Sequence, residues 1–193
     1  MLVFLSSLLK GIVPCPPRLW YLPWGGLLCF LAACDRFNSA PLANSLNSRF
    51  NDEQPSLSGD GRWLGFVSNR NGSREIWVYD LQKRQMVPLP GLNQSQVIAE
   101  SPSLSRTGRY IVYVSSLQGR PDIALYDRLS QRTELLTLSY RSWVRQPRIS
   151  PEGRYVVFET ARRGQWDIEV LDRGPNIELD LPNRTPIETP LSR

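Results

Sequence analysis

The amino-acid sequence predicts an all-β fold, built as three propeller-type blades of four short antiparallel strands behind an N-terminal signal segment. Three observations carry this reading. A segment recurs three times at offsets of 47 and then 45 residues. The apolar runs inside it are β-branched and aromatic, without the 3.6-residue period that a helix would impose. Sixteen prolines and 13 glycines in 193 residues punctuate the chain with turns.

Residues 1–34 differ in composition from everything after them, with Lys10 and Arg18 as their only charges. Leu19 to Ala33 is uncharged and broken by Pro23 and Gly25-Gly26. Fifteen such residues fit the apolar region of an export signal and are short for a spanning helix. The run ends in Leu31-Ala32-Ala33-Cys34, which resembles the lipobox of bacterial lipoproteins. That resemblance implies that Cys34 carries a lipid thioether and becomes the mature N-terminus. The alternative is an uncleaved anchor, or an ordinary cleaved signal, with Cys34 incidental. Asp35 is similar to the inner-membrane retention signal of enteric lipoproteins. Residues 35–53 are rich in Asn and Ser and read as a polar tether, in which Leu42 to Phe50 adds at most an edge strand.

The repeats occupy residues 54–181, divided as 54–92, 101–138 and 146–181. Pro55, Ser58, Gly61, Arg62, Gly72, Ile76 and Asp80 have identical counterparts in both later copies. Each Ser-x-x-Gly-Arg opens with turn chemistry, clearest in Ser150-Pro151-Glu152-Gly153. A strand follows, such as Tyr110-Ile111-Val112-Tyr113-Val114-Ser115, apolar on both faces and so sandwiched between two layers. Polar loops at Asn69–Arg74, Leu117–Pro121 and Ala161–Gln165 lead to the strands Ile76–Asp80, Ile123–Asp127 and Ile168–Asp172. Weaker fourth strands are expected at Met86–Leu89, Thr133–Thr137 and Ile177–Leu181. Four strands every 45–47 residues is the pattern of a propeller blade. Residues 182–193 carry three prolines and read as a disordered tail.

Chemistry is excluded more easily than it is assigned. The chain has no histidine, which removes Ser-His and Cys-His nucleophiles, imidazole proton shuttles and histidine-ligated metals. All three cysteines lie within residues 1–34. No catalytic, cofactor or metal site is expected. The net charge of +5 falls to +3 once Lys10 and Arg18 are set aside, and the rest is interspersed, so nucleic acid is not an expected partner. Asp80, Asp127 and Asp172 are expected to cap turns rather than form a carboxylate ring. Arg62, Arg109 and Arg154 are expected to lay their stems over a neighbouring blade. Arg70, Arg74, Arg120, Arg162 and Arg163, with Trp166, gather on the opposite loops. They are the candidate contacts to a carboxylate-bearing partner, against the simpler reading of solvated loop charge.

The motif Pro-x-Leu-Ser-x-x-Gly-Arg-aromatic, with Phe66-Val67-Ser68-Asn69-Arg70 and Glu75-Ile76-Trp77-Val78-Tyr79-Asp80 in the first copy, resembles the repeats of TolB-type β-propellers. The resemblance covers about two-thirds of the chain. It implies a periplasmic component of a Tol–Pal type envelope system that binds a peptidoglycan-associated lipoprotein and other Tol proteins. Taken with the lipobox and the absent histidine, the expectation is a non-enzymatic envelope lipoprotein at the periplasmic face whose partner is an envelope protein or a peptidoglycan-associated one. Similar repeats sit on prolyl-oligopeptidase-like enzymes, so a detached or truncated propeller portion of an extracytoplasmic hydrolase is the alternative. TolB propellers have six blades. Three blades leave two apolar end faces, so a head-to-tail homodimer completing a six-bladed ring, or docking on another propeller fragment, is expected. The rival is a three-blade monomer whose end faces are covered by residues 35–53 and the C-terminal tail.

Overall fold

A computed structural model describes residues 45–182. The expectations for the signal segment, for Cys34 and Asp35, and for residues 183–193 lie outside the described residues. Among the described residues, eleven strands form three antiparallel sheets, each a meander in chain order. The first sheet comprises β1 (Asp52–Leu57), β2 (Trp63–Ser68), β3 (Glu75–Asp80) and β4 (Gln85–Val87). The second comprises β5 (Ala99–Leu104), β6 (Tyr110–Ser115), β7 (Asp122–Asp127) and β8 (Arg132–Leu135). The third comprises β9 (Val144–Ile149), β10 (Tyr155–Thr160) and β11 (Asp167–Asp172). Among the described residues there is no helix.

The identical residues of the repeat build an identical local structure. In each turn the glycine N–H donates to the serine carbonyl, at 2.9 Å for Gly61 and Ser58, with φ of +71°, +69° and +85° at Gly61, Gly108 and Gly153. Glycine adopts that conformation at no steric cost, and among other residues asparagine tolerates it best. The serine hydroxyl accepts the N–H of the aromatic residue that opens the next strand, from Trp63, Tyr110 and Tyr155. The hairpin register is also shared, pairing Trp63 with Asp80, Tyr110 with Asp127 and Tyr155 with Asp172. Each first strand carries a bulge at a residue with positive φ, Gln54, Ser101 or Gln146, immediately before its proline.

The sheets stack face to face, and the core lies in two layers between them. Trp63, Ile76 and Val78 of the first sheet meet Leu104, Ile111, Tyr113 and Tyr126 of the second. Tyr110, Val112, Ile123 and Leu125 of the second meet Val144, Val156 and Phe158 of the third. The central sheet is therefore buried on both faces. This explains the unbroken apolar run of β6, all six residues of which are buried.

Three expectations need correction. First, β1 begins at Asp52, inside the segment read as tether, and β5 and β9 also start two residues ahead of the assigned repeats. Second, Ile177–Leu181 forms no strand, so among the described residues the third sheet has three strands rather than four. That segment folds back on the second sheet instead. Asp180, buried, accepts hydrogen bonds from the Ser105 hydroxyl at 2.6 Å and from the N–H and hydroxyl of Thr107 at 2.8 and 2.5 Å. These bonds have a reason in the repeat. Asp60 binds the Ser58 hydroxyl within its own turn, and the Ser150 hydroxyl holds the Glu152 carboxyl below its ordinary range. The middle turn has Thr107 at that position, and Asp180 supplies the missing carboxylate from 73 residues away.

Third, the guanidinium groups of Arg62, Arg109 and Arg154 are engaged within their own hairpins. Each pairs with the aspartate that ends the facing strand of its own hairpin: Arg62 with Asp80 at 2.9 Å, Arg109 with Asp127 at 3.2 Å, Arg154 with Asp172 at 2.8 Å. The register places these partners side by side, and each guanidinium also lies over the next aromatic ring, 4.4 Å from the Trp63 centroid for Arg62. The aspartates do cap turns, since Asp80 accepts the N–H groups of Gln82 and Lys83. Arg128 and Arg173 each reach a neighbouring blade. Arg128 lies 4.2 Å from the Trp63 ring centroid and donates to the Gly108 carbonyl, while Arg173 lies 4.5 Å from that of Tyr110 and donates to the Gly153 carbonyl. Burial pushes the Arg128 guanidinium down to about 10.

Candidate functional site

The loops after β2, β6 and β10 carry the six candidate contact residues, at the end of the sheets opposite the Ser-x-x-Gly turns. Arg70 is turned inward. Its guanidinium pairs with Asp52 at 2.7 Å, donates to the carbonyls of Ser45 and Leu46, and lies over the Phe66 and Trp77 rings. It thereby fastens the segment ahead of β1 to the first sheet. Among the groups around Asp52, burial raises its carboxyl, but hydrogen bonds from Arg70, Ser68 and Ser48 outweigh it and hold the pKa below the usual range. Arg74 bridges two sheets through Glu53 at 3.2 Å and Glu100 at 3.4 Å. Arg120 donates to the carbonyls of Leu138 and Tyr140 and pairs with Asp122 at 3.3 Å, pinning the connection that follows β8.

The other three are exposed. Arg162 pairs with Glu169 at 3.5 Å and Arg163 with Asp167 at 3.0 Å. Both line a concavity of about 390 Å³ with Thr160, Ile168 and Glu169. Surface pairs of this kind contribute little to stability, so their charge remains accessible to a partner at small cost. Trp166 is stacked by Arg145, whose guanidinium carbon lies 3.8 Å from the ring centroid while its Nε donates to Glu159 at 2.6 Å.

Arg120 and Trp166 are brought together, with residues that the sequence reading did not single out, around a second cavity of about 390 Å³. Ile98 and Trp143, exposed, stand immediately before β5 and β9 and form part of its wall. Val114, Ser116 and Pro121 line it from the second sheet, and Arg145 and Glu100 supply charge. Ile98 and Trp143 occupy the same position of the repeat, three residues upstream of the bulge residue, so extending the alignment past its proline would have paired them. The other four candidates, Arg70, Arg74, Arg162 and Arg163, do not line this cavity. The arrangement brings together two exposed indoles, an aliphatic wall and two arginines whose planes are already held, residue types that carry binding energy where a partner docks. Pre-held guanidinium groups lose less rotamer entropy when a ligand carboxylate or carbonyl reaches them.

Comparison with known proteins agrees with this architecture. The TolB beta propeller domain family matches residues 37–190. Among solved structures, TolB from Acinetobacter baumannii is similar with a TM-score of 0.55 and 24% identity, covering 67% of this chain and 31% of that one. A putative TolB from Agrobacterium tumefaciens gives 0.52 and 23%, over 70% of this chain and 50% of that one. A puromycin hydrolase gives 0.50 and 13%, over 65% of this chain and 19% of that one. The chain thus spans half or less of the length of each of these proteins, and at such identities they share its fold. No curated protein sequence matches. The recurrent turn, the shared hairpin register, the stacked meanders and the family match together make this chain a member of the TolB beta propeller domain family.

Proposed function

We propose that the protein is a non-enzymatic binding module of the bacterial cell envelope, held at the periplasmic face through lipid on Cys34 and engaging an envelope protein of a Tol–Pal type system. The observation that carries this reading is the cavity between Trp143, Trp166 and Ile98, flanked by Arg120 and Arg145. Exposed aromatic and arginine side chains around a concave apolar wall are the residue types that dominate binding energy at protein interfaces. The likeness to TolB structures supports an envelope setting, and Asp35 favours the inner membrane. The partner's docking segment would present an apolar side chain to the indoles and a carboxylate or carbonyl to the arginines.

Affinity capture from crosslinked membranes tests the reading. Wild-type chain is expected to recover Tol–Pal components, and the Trp143→Ala/Trp166→Ala variant to lose them at unchanged expression. Recovery of a hydrolase subunit instead would support the alternative reading of a propeller detached from an enzyme. For the anchor, labelled palmitate is expected on the wild type and absent from Cys34→Ser, with release of that variant from membranes. A wild type that takes up no label contradicts the lipid anchor.

A further inference from the structure

The contact between successive blades is made twice inside the chain, by the same positions each time. The aromatic residue that opens the second strand lies on the turn glycine of the following blade. A Cβ added to Gly108 would meet the Trp63 ring at 2.8 Å, and one added to Gly153 would meet the Tyr110 ring at 2.5 Å. The leucine near the end of the following first strand is the second element of the contact: Leu104 packs on Gly65, where a Cβ would lie 2.5 Å from its methyl group. The third element is the residue after the hairpin aspartate, Arg128 or Arg173, which covers the same aromatic ring.

Each half of this contact is left open once among the described residues. On the third sheet, Tyr155, Ile168 and Val170 are 40%, 70% and 60% exposed, whereas their counterparts Tyr110, Ile123 and Leu125 are buried. On the first sheet, Gly61 has nothing within 4 Å, and Leu57 is 58% exposed where its counterpart Leu104 is buried. The residue equivalent to Arg128 and Arg173 is Leu81, also exposed. The open face of blade one therefore presents two leucines beside a bare glycine, and the open face of blade three presents an aromatic ring and two aliphatic side chains. Each lacks what the other supplies.

We infer that the outer face of the third sheet docks the first blade of a second copy of this chain. Tyr155 seats on the Gly61 of that copy, and its Leu57 and Leu81 cover Ile168 and Val170. The contact is head to tail, so its two surfaces differ, and two copies that each use both faces close on one another.

The test is photo-crosslinking of the full chain in cells, with a benzophenone amino acid at Ile168. The expected product contains two copies of this chain and nothing else, with the crosslinked peptide lying between residues 52 and 84. Gly61→Asn, which tolerates the positive φ but fills the space above the turn, is expected to cut that product at least tenfold. Circular dichroism of the variant, unchanged from wild type, shows that its blades remain folded. Adducts to a different protein, adducts within one chain to residues 183–193, or no adduct overturn the proposal.

Discussion

Asp180→Ala removes a carboxylate that reaches back to complete the middle turn. In the folded chain Asp180 is 2% exposed and accepts three hydrogen bonds, from Ser105 and twice from Thr107. Bonds to a charged acceptor contribute about 1.5–3 kcal/mol each, but they share one carboxylate whose hydration is lost on folding, so they do not add fully. Truncation also strands the buried Ser105 hydroxyl, which then keeps only the Tyr110 N–H as a partner. It loosens the bond from the Tyr110 hydroxyl to the Glu178 carbonyl as well. Together these give an expected loss of about 3 kcal/mol. For a domain of this size that loss corresponds to a Tm lower by roughly 10 °C. Chemical denaturation followed by tryptophan fluorescence, with thermal melts beside it, reads the change. The internal control is Thr107→Asp in the Asp180→Ala background, which rebuilds the local arrangement of Ser58 and Asp60 and is expected to recover about half of the loss. A stability of Asp180→Ala within about 0.5 kcal/mol of wild type would refute the reasoning, because surface substitutions away from any such feature fall in that range.

Further perturbations separate the other elements of the account. Gly153→Ala forces a Cβ against the Tyr110 ring at a φ of +85° and is expected to cost well over 2 kcal/mol, whereas Gly164→Ala has the same φ, meets nothing within 4 Å and should cost about 1 kcal/mol in the same melts. Arg128→Met keeps the stem over Trp63 but removes the cation and the bond to the Gly108 carbonyl; a loss of about 1–2 kcal/mol is expected, with Arg128→Lys failing to restore it because the planar group is what stacks. Stability is expected to fall as pH drops below about 4. Burial raises the Asp52 and Asp80 carboxyls, yet their arginine and N–H donors outweigh it and hold both below the ordinary carboxylate range in the folded chain. Groups with folded pKa values held down contribute stability above the unfolded pKa and lose it as pH falls through the folded one, so an acid titration of Tm showing no drop between pH 5 and 2 would contradict both pairs.

What was legible in the sequence follows from where the three copies are identical. Ser58, Gly61 and their counterparts announce a turn because a hydroxyl acceptor and a positive φ are needed at fixed spacing, and those requirements do not depend on distant residues. The alternation of strands and polar loops was legible for the same reason. The Arg62–Asp80 pair was not read, although both residues were singled out, because their 18-residue separation becomes a contact only once the hairpin register is known. Arg128 and Arg173 directly follow Asp127 and Asp172, the last residues identical in all three copies, and the first copy has Leu81 there, so the repeat gave no identity to notice. Ile98 and Trp143 fall just before the aligned segments. The loop arginines lie on equivalent loops of the three copies, but Arg70 is held by Asp52 and backbone carbonyls that no local pattern places beside it. Ile177–Leu181 has strand-like alternation, and the competing bonds of Asp180 to the second sheet draw it elsewhere.

The central claim is that the cavity between the second and third blades receives a partner. The most direct measurement places a benzophenone amino acid at Trp143, on the cavity wall, and at Arg132, on the exposed outer strand β8, in otherwise wild-type full chain in living cells. The account expects a discrete adduct to an envelope protein from position 143, absent from position 132 and lost when Trp166→Ala is added. Equal adduct patterns from both positions, or a pattern at 143 indifferent to Trp166→Ala, would contradict it.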